Sequence, residues 1–226
     1  MESNEKVAIF DFCETLIKFQ TADAFIDFVL LETKSIRMFA IELFRRLLFK
    51  LRVNLLFKSI WDRKSINKQI RLYELKGIKR NVLIQMAGEF YTKRLKPNII
   101  PEVLSQMIIK KNEGYKIGIV SGGLSIYIDM FCEDYYVDFC ISSKLQYKNE
   151  KSTGKLEGMD CMGENKVEAL SRILKFTPSY SIVYTDSITD LPLLQWANDG
   201  VVVSRNKHQN WINTYNFKEI IWTELN

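Results

Sequence analysis

Residues 7–19, VAIFDFCETLIKF, decide how the chain is read. The opening Val-Ala-Ile-Phe is a short, near-continuous apolar run, the pattern of a strand buried on both faces. It delivers a carboxylate, Asp11, at its carboxyl end. Three further runs follow the same plan: YKIGIV (115–120) leads into Ser121, YSIVYT (180–185) leads into Asp186, and DGVVVS runs from 199 to 204. Helical patterns separate them, which predicts parallel strands joined by right-handed crossovers, an open α/β fold with a doubly wound parallel sheet. Ligands bind beyond the carboxyl ends of such strands, and Asp11, Ser121 and Asp186 all stand there.

Between residues 21 and 96 no strand signal appears. Thr21 is placed to cap a helix beginning ADAFIDFVLLE, and RNVLIQMAGEFYTKRL (80–95) is amphipathic and stopped by Pro97. The segment is expected to be an all-helical cap domain, 21–96, inserted into an α/β core made of 1–20 and 97–226. Residues 141–158, ISSKLQYKNEKSTGKLEG, are expected to form an extended hairpin with a glycine-containing turn.

Composition excludes several classes. With 226 residues, 47% apolar and 26% charged, the chain is ordinary globular material. No stretch approaches the roughly 18 uncharged apolar residues of a membrane span, and MESNEKVAIFDF is too polar for a signal peptide. Cys13, Cys132, Cys140 and Cys161 are scattered without a CxxC pair, so neither a disulfide framework nor a zinc site is expected, and a reduced cytoplasm is the expected compartment. His208, the sole histidine, lies in a polar loop and is assigned no role.

Four motifs, in order and nearly spanning the chain, carry a resemblance. DFCETL resembles the first motif of the haloacid dehalogenase superfamily, D-x-D-x-T-L. IVSGG resembles the second, Lys166 in GENKVEAL the third, and TDSITDLPLL the fourth, G-D-x-x-x-D. The stretch STGKLEGMDCMGENKVEAL and the helical block after the first motif resemble the phosphoserine-phosphatase-like branch. Singly, each motif also suits a plain strand end, turn or solvated helix; four at successive strand ends and helix starts do not.

The resemblance implies a phosphatase in which Asp11 attacks phosphorus and forms an aspartyl-phosphate, splitting one displacement into two. It implies magnesium held by Asp11, Asp186 and the backbone carbonyl of Cys13, with Asp190 in or just behind the ligand set. It implies that Lys166, the Ser121 hydroxyl and the amides of Gly122 and Gly123 bind the phosphoryl oxygens, over which transition-state charge spreads. Thr185 stands in place of the family's glycine, a substitution expected to tighten the loop without removing a ligand.

Cys13 is the main departure. In hydrolases of this superfamily a carboxylate at this place protonates the leaving group and then activates water. A thiol is mostly protonated at neutral pH, and general acid–base help is worth typically 10²–10⁴-fold, so a slow enzyme is one expectation. Three readings stay open: Glu14 replaces the missing acid; the leaving group needs none; or the aspartyl-phosphate is long-lived, which suits a phosphotransferase, or the protein binds phosphate without turnover. A dehalogenase would not need the metal carboxylates Asp186 and Asp190.

The substrate is expected to be a small phosphorylated molecule, with lipid-linked or polyanionic phosphates as options. Phosphoserine itself is put in doubt by Gln20, near the place where phosphoserine phosphatases carry an acid for the substrate ammonium; Asp23 stands nearby. Net charge is +5, yet Arg37 to Arg71 holds ten bases against two acids, +8, leaving the rest near −3. Interleaved with Phe39, Phe44, Leu47, Leu48 and Trp61, these bases suggest either peripheral contact with an anionic membrane through residues 37–71 or a cap with a solvated basic face. A nucleic-acid partner is not expected, since no recognition fold is visible.

Overall fold

The buried strand that opens the chain is β1, Lys6–Phe10, and it lies at the centre of the sheet. In the computed structural model, residues 4–33 and 63–224 are described. Alternation along β1 feeds two cores. Ala8 and Phe10 face one side with Ile117, Ile119, Ile182 and Tyr184, whereas Val7 and Ile9 face the other with Val120, Val183 and Val202. The Phe10 and Tyr184 rings stack at 4.3 Å on the first side.

The seven strands run in the order β4-β3-β2-β1-β5-β6-β7. They are β2 (Tyr115–Leu124), β3 (Phe139–Lys148), β4 (Lys151–Glu157), β5 (Tyr180–Thr185), β6 (Asp199–Arg205) and β7 (Lys218–Trp222). Every pair is parallel except β3–β4. Helices cover both faces. On the first pack α1 (Thr21–Glu32), α3 (Arg80–Phe90), α4 (Pro101–Asn112) and α5 (Ser125–Asp134); on the second α6 (Glu164–Ile173), α7 (Leu191–Trp196) and α8 (Trp211–Tyr215). Helix α2 (Arg63–Tyr73) lies against β4. The doubly wound α/β sheet is therefore as expected, with the switch of direction at β1.

Several local expectations need correction. The hairpin over 141–158 exists, but its turn is Asn149-Glu150, at φ 51° and 56°, and Gly154 lies within β4. Gly154 instead leaves room for α2, because a Cβ there would stand 2.9 Å from Tyr73 Cα. The first half of β3 also pairs with β2, so the hairpin extends the main sheet. Strand β2 continues through Ser121-Gly122-Gly123 to Leu124, with a register shift after Ser121, where the sequence suggests a turn. Thr21 caps nothing: helix α1 has no side-chain cap, and the hydroxyl turns inward. Strand β7 has too few residues between polar neighbours to announce itself.

Among the described residues of 21–96 the regular structure is helical, ending in a π-helical turn, Tyr91–Leu95, and a 3₁₀ turn at Pro97. This segment shares one apolar core with the sheet: Phe25 and Phe90 pack on Tyr127 of α5 at 5.3 and 5.5 Å. Most of the basic window, residues 37–62, lies outside the described residues. Its last two bases contradict a solvated face. Lys68 is buried, and Arg71 binds Glu74 at 2.6 Å, Asp23 at 3.4 Å and Asp27.

Candidate active site

The site begins where β1 stops. Asp11 keeps the ladder for one more residue, donating its N–H to Tyr184 O at 2.9 Å. The chain then folds over itself, with Leu16 and Ile17 N–H both donating to Phe12 O. Glu14 occupies the left-handed region at φ 57°, a conformation that costs a non-glycine residue energy and clusters at functional sites.

Lys166, on the first turn of α6, reaches across the sheet edge. Its Nζ lies 2.8 Å from Asp11 Oδ1 and 2.6 Å from Asp190 Oδ2, and all three side chains are buried. Thr185 Oγ1 donates to the same Asp190 oxygen at 2.7 Å. The hydroxyl standing where the family has glycine thus ties the end of β5 to the following turn. Thr15 does the same for Asp186: it accepts the Asp186 N–H at 3.0 Å and donates to Oδ1 at 3.2 Å.

A cavity of about 340 Å³ opens beside these groups, lined by Asp11, Cys13, Glu14, Ser121, Gly122, Lys166, Asp186 and Asp190. The structure therefore brings together every residue singled out for this site except Gly123. That glycine lies behind the wall, and its N–H donates to Ser121 Oγ at 3.2 Å rather than facing the cavity. Gly122 does face it, and Met162 sits where a Cβ would be, 2.7 Å from Cγ.

One functional-site residue escapes sequence reasoning. Lys68 of α2 enters the cavity wall and donates to Gly122 O and Asp160 Oδ1, both at 2.5 Å, and to Ser143 Oγ at 3.3 Å. In the sequence it is one base among ten, and nothing in its spacing separates it from the others. Glu14 and Gln20, which bond to each other, and Asp23 complete this end.

Charge balance at the site is lopsided. Burial raises the Asp11 carboxyl, Lys166 works against that, and Asp190 adds to it. Asp186 is pushed up to about 8, first by burial and then by the charges of Asp11, Glu14 and Asp190. Burial opposes the charge on Lys166, but Asp11 and Asp190 outweigh it and hold the ammonium protonated. Asp11 and Asp190 thus share the one ammonium of Lys166, with Asp186 beside them, while the other lysine of the wall, Lys68, is paired with Asp160. The Cys13 thiol is pushed up to about 11 by burial and then by Asp11, so at neutral pH it is a neutral S–H.

The donor set suits a hard divalent cation. Among the described residues no group of three His, Cys, Asp or Glu side chains is placed to hold a metal ion by itself. The carboxylates of Asp11 and Asp186 and the Cys13 backbone carbonyl are hard oxygen donors of the kind magnesium accepts. The excess negative charge that lifts Asp186 is what such a cation offsets.

The site thus lies at the switch point of a doubly wound α/β sheet, with two carboxylates paired about one lysine. The profile of the haloacid dehalogenase-like hydrolase family matches residues 8–195. The chain belongs to that family. It is similar to the phosphoserine phosphatase of Methanocaldococcus jannaschii, 30% identical over 178 residues, covering 77% of this chain and 72% of that protein. It is also similar to that of Archaeoglobus fulgidus, 26% identical over 147 residues, which span 63% of this chain but 40% of the relative's length. Among solved structures, a Bordetella pertussis protein of unknown function superposes with a TM-score of 0.79 at 18% identity, covering 96% of this chain and 99% of that one. That likeness concerns the fold.

Proposed function

We propose that the chain is a magnesium-dependent phosphomonoesterase working through an aspartyl-phosphate on Asp11. The observation that carries this reading is Lys166 held between Asp11 and Asp190 beside Asp186, within one 340 Å³ cavity. Asp11 Oδ2 is the nucleophilic oxygen, since Lys166 holds Oδ1 at 2.8 Å and only a long 3.5 Å contact from the Thr15 hydroxyl reaches Oδ2. Lys166, the Ser121 hydroxyl and the Gly122 N–H receive the phosphoryl oxygens. Asp190 and Thr185 hold Lys166 in place. Asp11, Asp186 and the Cys13 carbonyl would hold magnesium, which supplies charge neutralisation for the meeting of two anions. Segment 21–96 serves as a cap that selects a small phosphate monoester. The phosphoserine phosphatases among its relatives support this substrate class.

Cys13 favours a second reading at the same site. If the thiol keeps its proton while the aspartyl-phosphate forms, it is a poor base for water, and the intermediate is slow to hydrolyse and open to capture by another acceptor. Among the described residues no helix is long and apolar enough to cross a membrane.

The test is hydrolysis of 4-nitrophenyl phosphate with magnesium by the native protein, Asp11→Asn and Cys13→Asp. Turnover by the native protein that Asp11→Asn abolishes supports the phosphatase. Activity in Cys13→Asp alone means that the natural acceptor is not water. Silence in all three, with phosphate still bound, leaves a binding protein.

A further inference from the structure

Behind Cys13 runs a chain of buried hydroxyls that phosphate and metal binding do not use. Thr21 Oγ1 lies 3.0 Å from Cys13 Sγ and 2.8 Å from Tyr127 Oη, and Leu124 N–H donates to Tyr127 Oη at 2.9 Å. Thr21 and Tyr127 are fully buried. Gly123 is what lets them meet: a Cβ there would stand 3.1 Å from Thr21 Oγ1 and 3.3 Å from Tyr127 Oη. On the other flank, Ser121 accepts Gly123 N–H at 3.2 Å and directs its own proton to Cys13 Sγ at 3.9 Å.

Counting protons fixes the direction. An amide only donates, so Tyr127 Oη accepts from Leu124, and the phenol proton needs an acceptor of its own. Thr21 Oγ1 is that acceptor. The reverse direction would bury the phenol proton unpaired, at a cost of about 1–3 kcal/mol. Thr21 therefore passes its proton to Cys13 Sγ. The sulfur receives hydrogen bonds from Thr21 and, in the free site, Ser121, which leaves its own S–H without either of them as acceptor, and Cys13 lines the cavity with Asp11 and Lys166.

We propose that Thr21 and Tyr127 are positioning residues that aim the Cys13 S–H at the oxygen leaving phosphorus; this rests on the phosphatase reading. As the bond from phosphorus to the leaving oxygen breaks, that oxygen takes the thiol proton, and the thiolate remains held by the Thr21 hydroxyl, the Ser121 proton being turned to the phosphoryl oxygens. When water attacks the aspartyl-phosphate, the thiolate recovers a proton from it, so the cycle balances.

The experiment compares phenyl phosphate with 4-nitrophenyl phosphate, whose leaving group needs less help. Tyr127→Phe keeps the ring packed against Phe12, Phe25 and Phe90 and removes one hydroxyl. It is expected to lower kcat on phenyl phosphate about tenfold, the worth of one such hydrogen bond, with KM within about twofold and a smaller loss on the nitrophenyl ester. Thr21→Val behaves alike, and Thr21→Ser restores the rate. In a Cys13→Ala background, Tyr127→Phe changes kcat less than about twofold, since the relay then has nothing to aim. Equal losses in both backgrounds, or equal losses on both esters, overturn the relay and leave a packing role. Should Asp11→Asn stay as active as the native protein, the phosphatase reading fails, and the relay is read by infrared instead. The Cys13 S–H stretching band, assigned by difference from Cys13→Ala, shifts in Tyr127→Phe and Thr21→Val if the relay exists; an unmoved band overturns it.

Discussion

Lys166 Nζ bridges Asp11 Oδ1 at 2.8 Å and Asp190 Oδ2 at 2.6 Å, so one buried ammonium serves two buried carboxylates. Removing one member of a buried ion pair strands the rest, typically at about 3–5 kcal/mol. Lys166→Met is therefore expected to destabilise the fold by about that amount and to abolish turnover. Urea unfolding gives the first quantity and the aryl phosphate assay the second. A stable Lys166→Met with unchanged rate would contradict the arrangement.

Lys68 makes a second buried pair, with Asp160, and in the same gesture holds the carbonyl of Gly122. Lys68→Met is expected to cost about 2–4 kcal/mol, since it leaves Asp160 without its cation. Adding Asp160→Leu should return most of that stability. Activity should not return with it, because Gly122 stays untethered. A double variant with full kcat/KM would show that Lys68 matters only as a counter-charge.

Cys13 makes stability pH-dependent on the alkaline side. Its thiol is raised from an ordinary 9.0 to about 11 in the folded protein. Between those values the unfolded chain has released the proton and the folded chain keeps it. Unfolded protein thus binds fewer protons, and stability falls as pH rises through this window. At about 1.4 kcal/mol per pKa unit the loss approaches about 3 kcal/mol. Denaturation midpoints from pH 8 to 11 should fall more steeply for the native protein than for Cys13→Ala; parallel slopes would refute this.

Asp186 couples the site to pH near neutrality. With its carboxyl at about 8 in metal-free protein, a cation binding at pH 7 must displace a proton. Magnesium affinity should therefore strengthen as pH rises toward 8 and level off above it. Calorimetric titration of metal-stripped protein in buffers of different ionisation enthalpy should detect close to one proton released at pH 7 and almost none at pH 9. Equal release at both would place the titrating group elsewhere.

Much of this was legible in the chain. Apolar runs that end in Asp11, Ser121 and Asp186 announce buried parallel strands and the edge where they deliver side chains, because burial on both faces leaves few polar alternatives. What stayed hidden depends on tertiary partners. Lys68 looks like any base in a +8 window until α2 docks on the hairpin. Thr21 has the identity and position of a helix cap, yet it forms a hydrogen bond to Cys13, 8 residues back, and another to Tyr127, 106 residues ahead. Gly123 shares a motif with Gly122 but not an orientation, since the register shift after Ser121 turns it away from the cavity.

The residues that meet around Asp11 come from opposite ends of the chain. Thr15 grips Asp186 across 171 positions, and Lys166 reaches Asp11 across 155. Such distant pairings are slow to form because long loops must close before any contact rewards them. During synthesis, β1 leaves the ribosome early and waits for β5 to pair on its other side. Until α6 arrives Asp11 lacks its lysine, and until β5 follows it lacks the carboxylate of Asp186. The arrangement around Asp11 can therefore close only after most of the chain has been made.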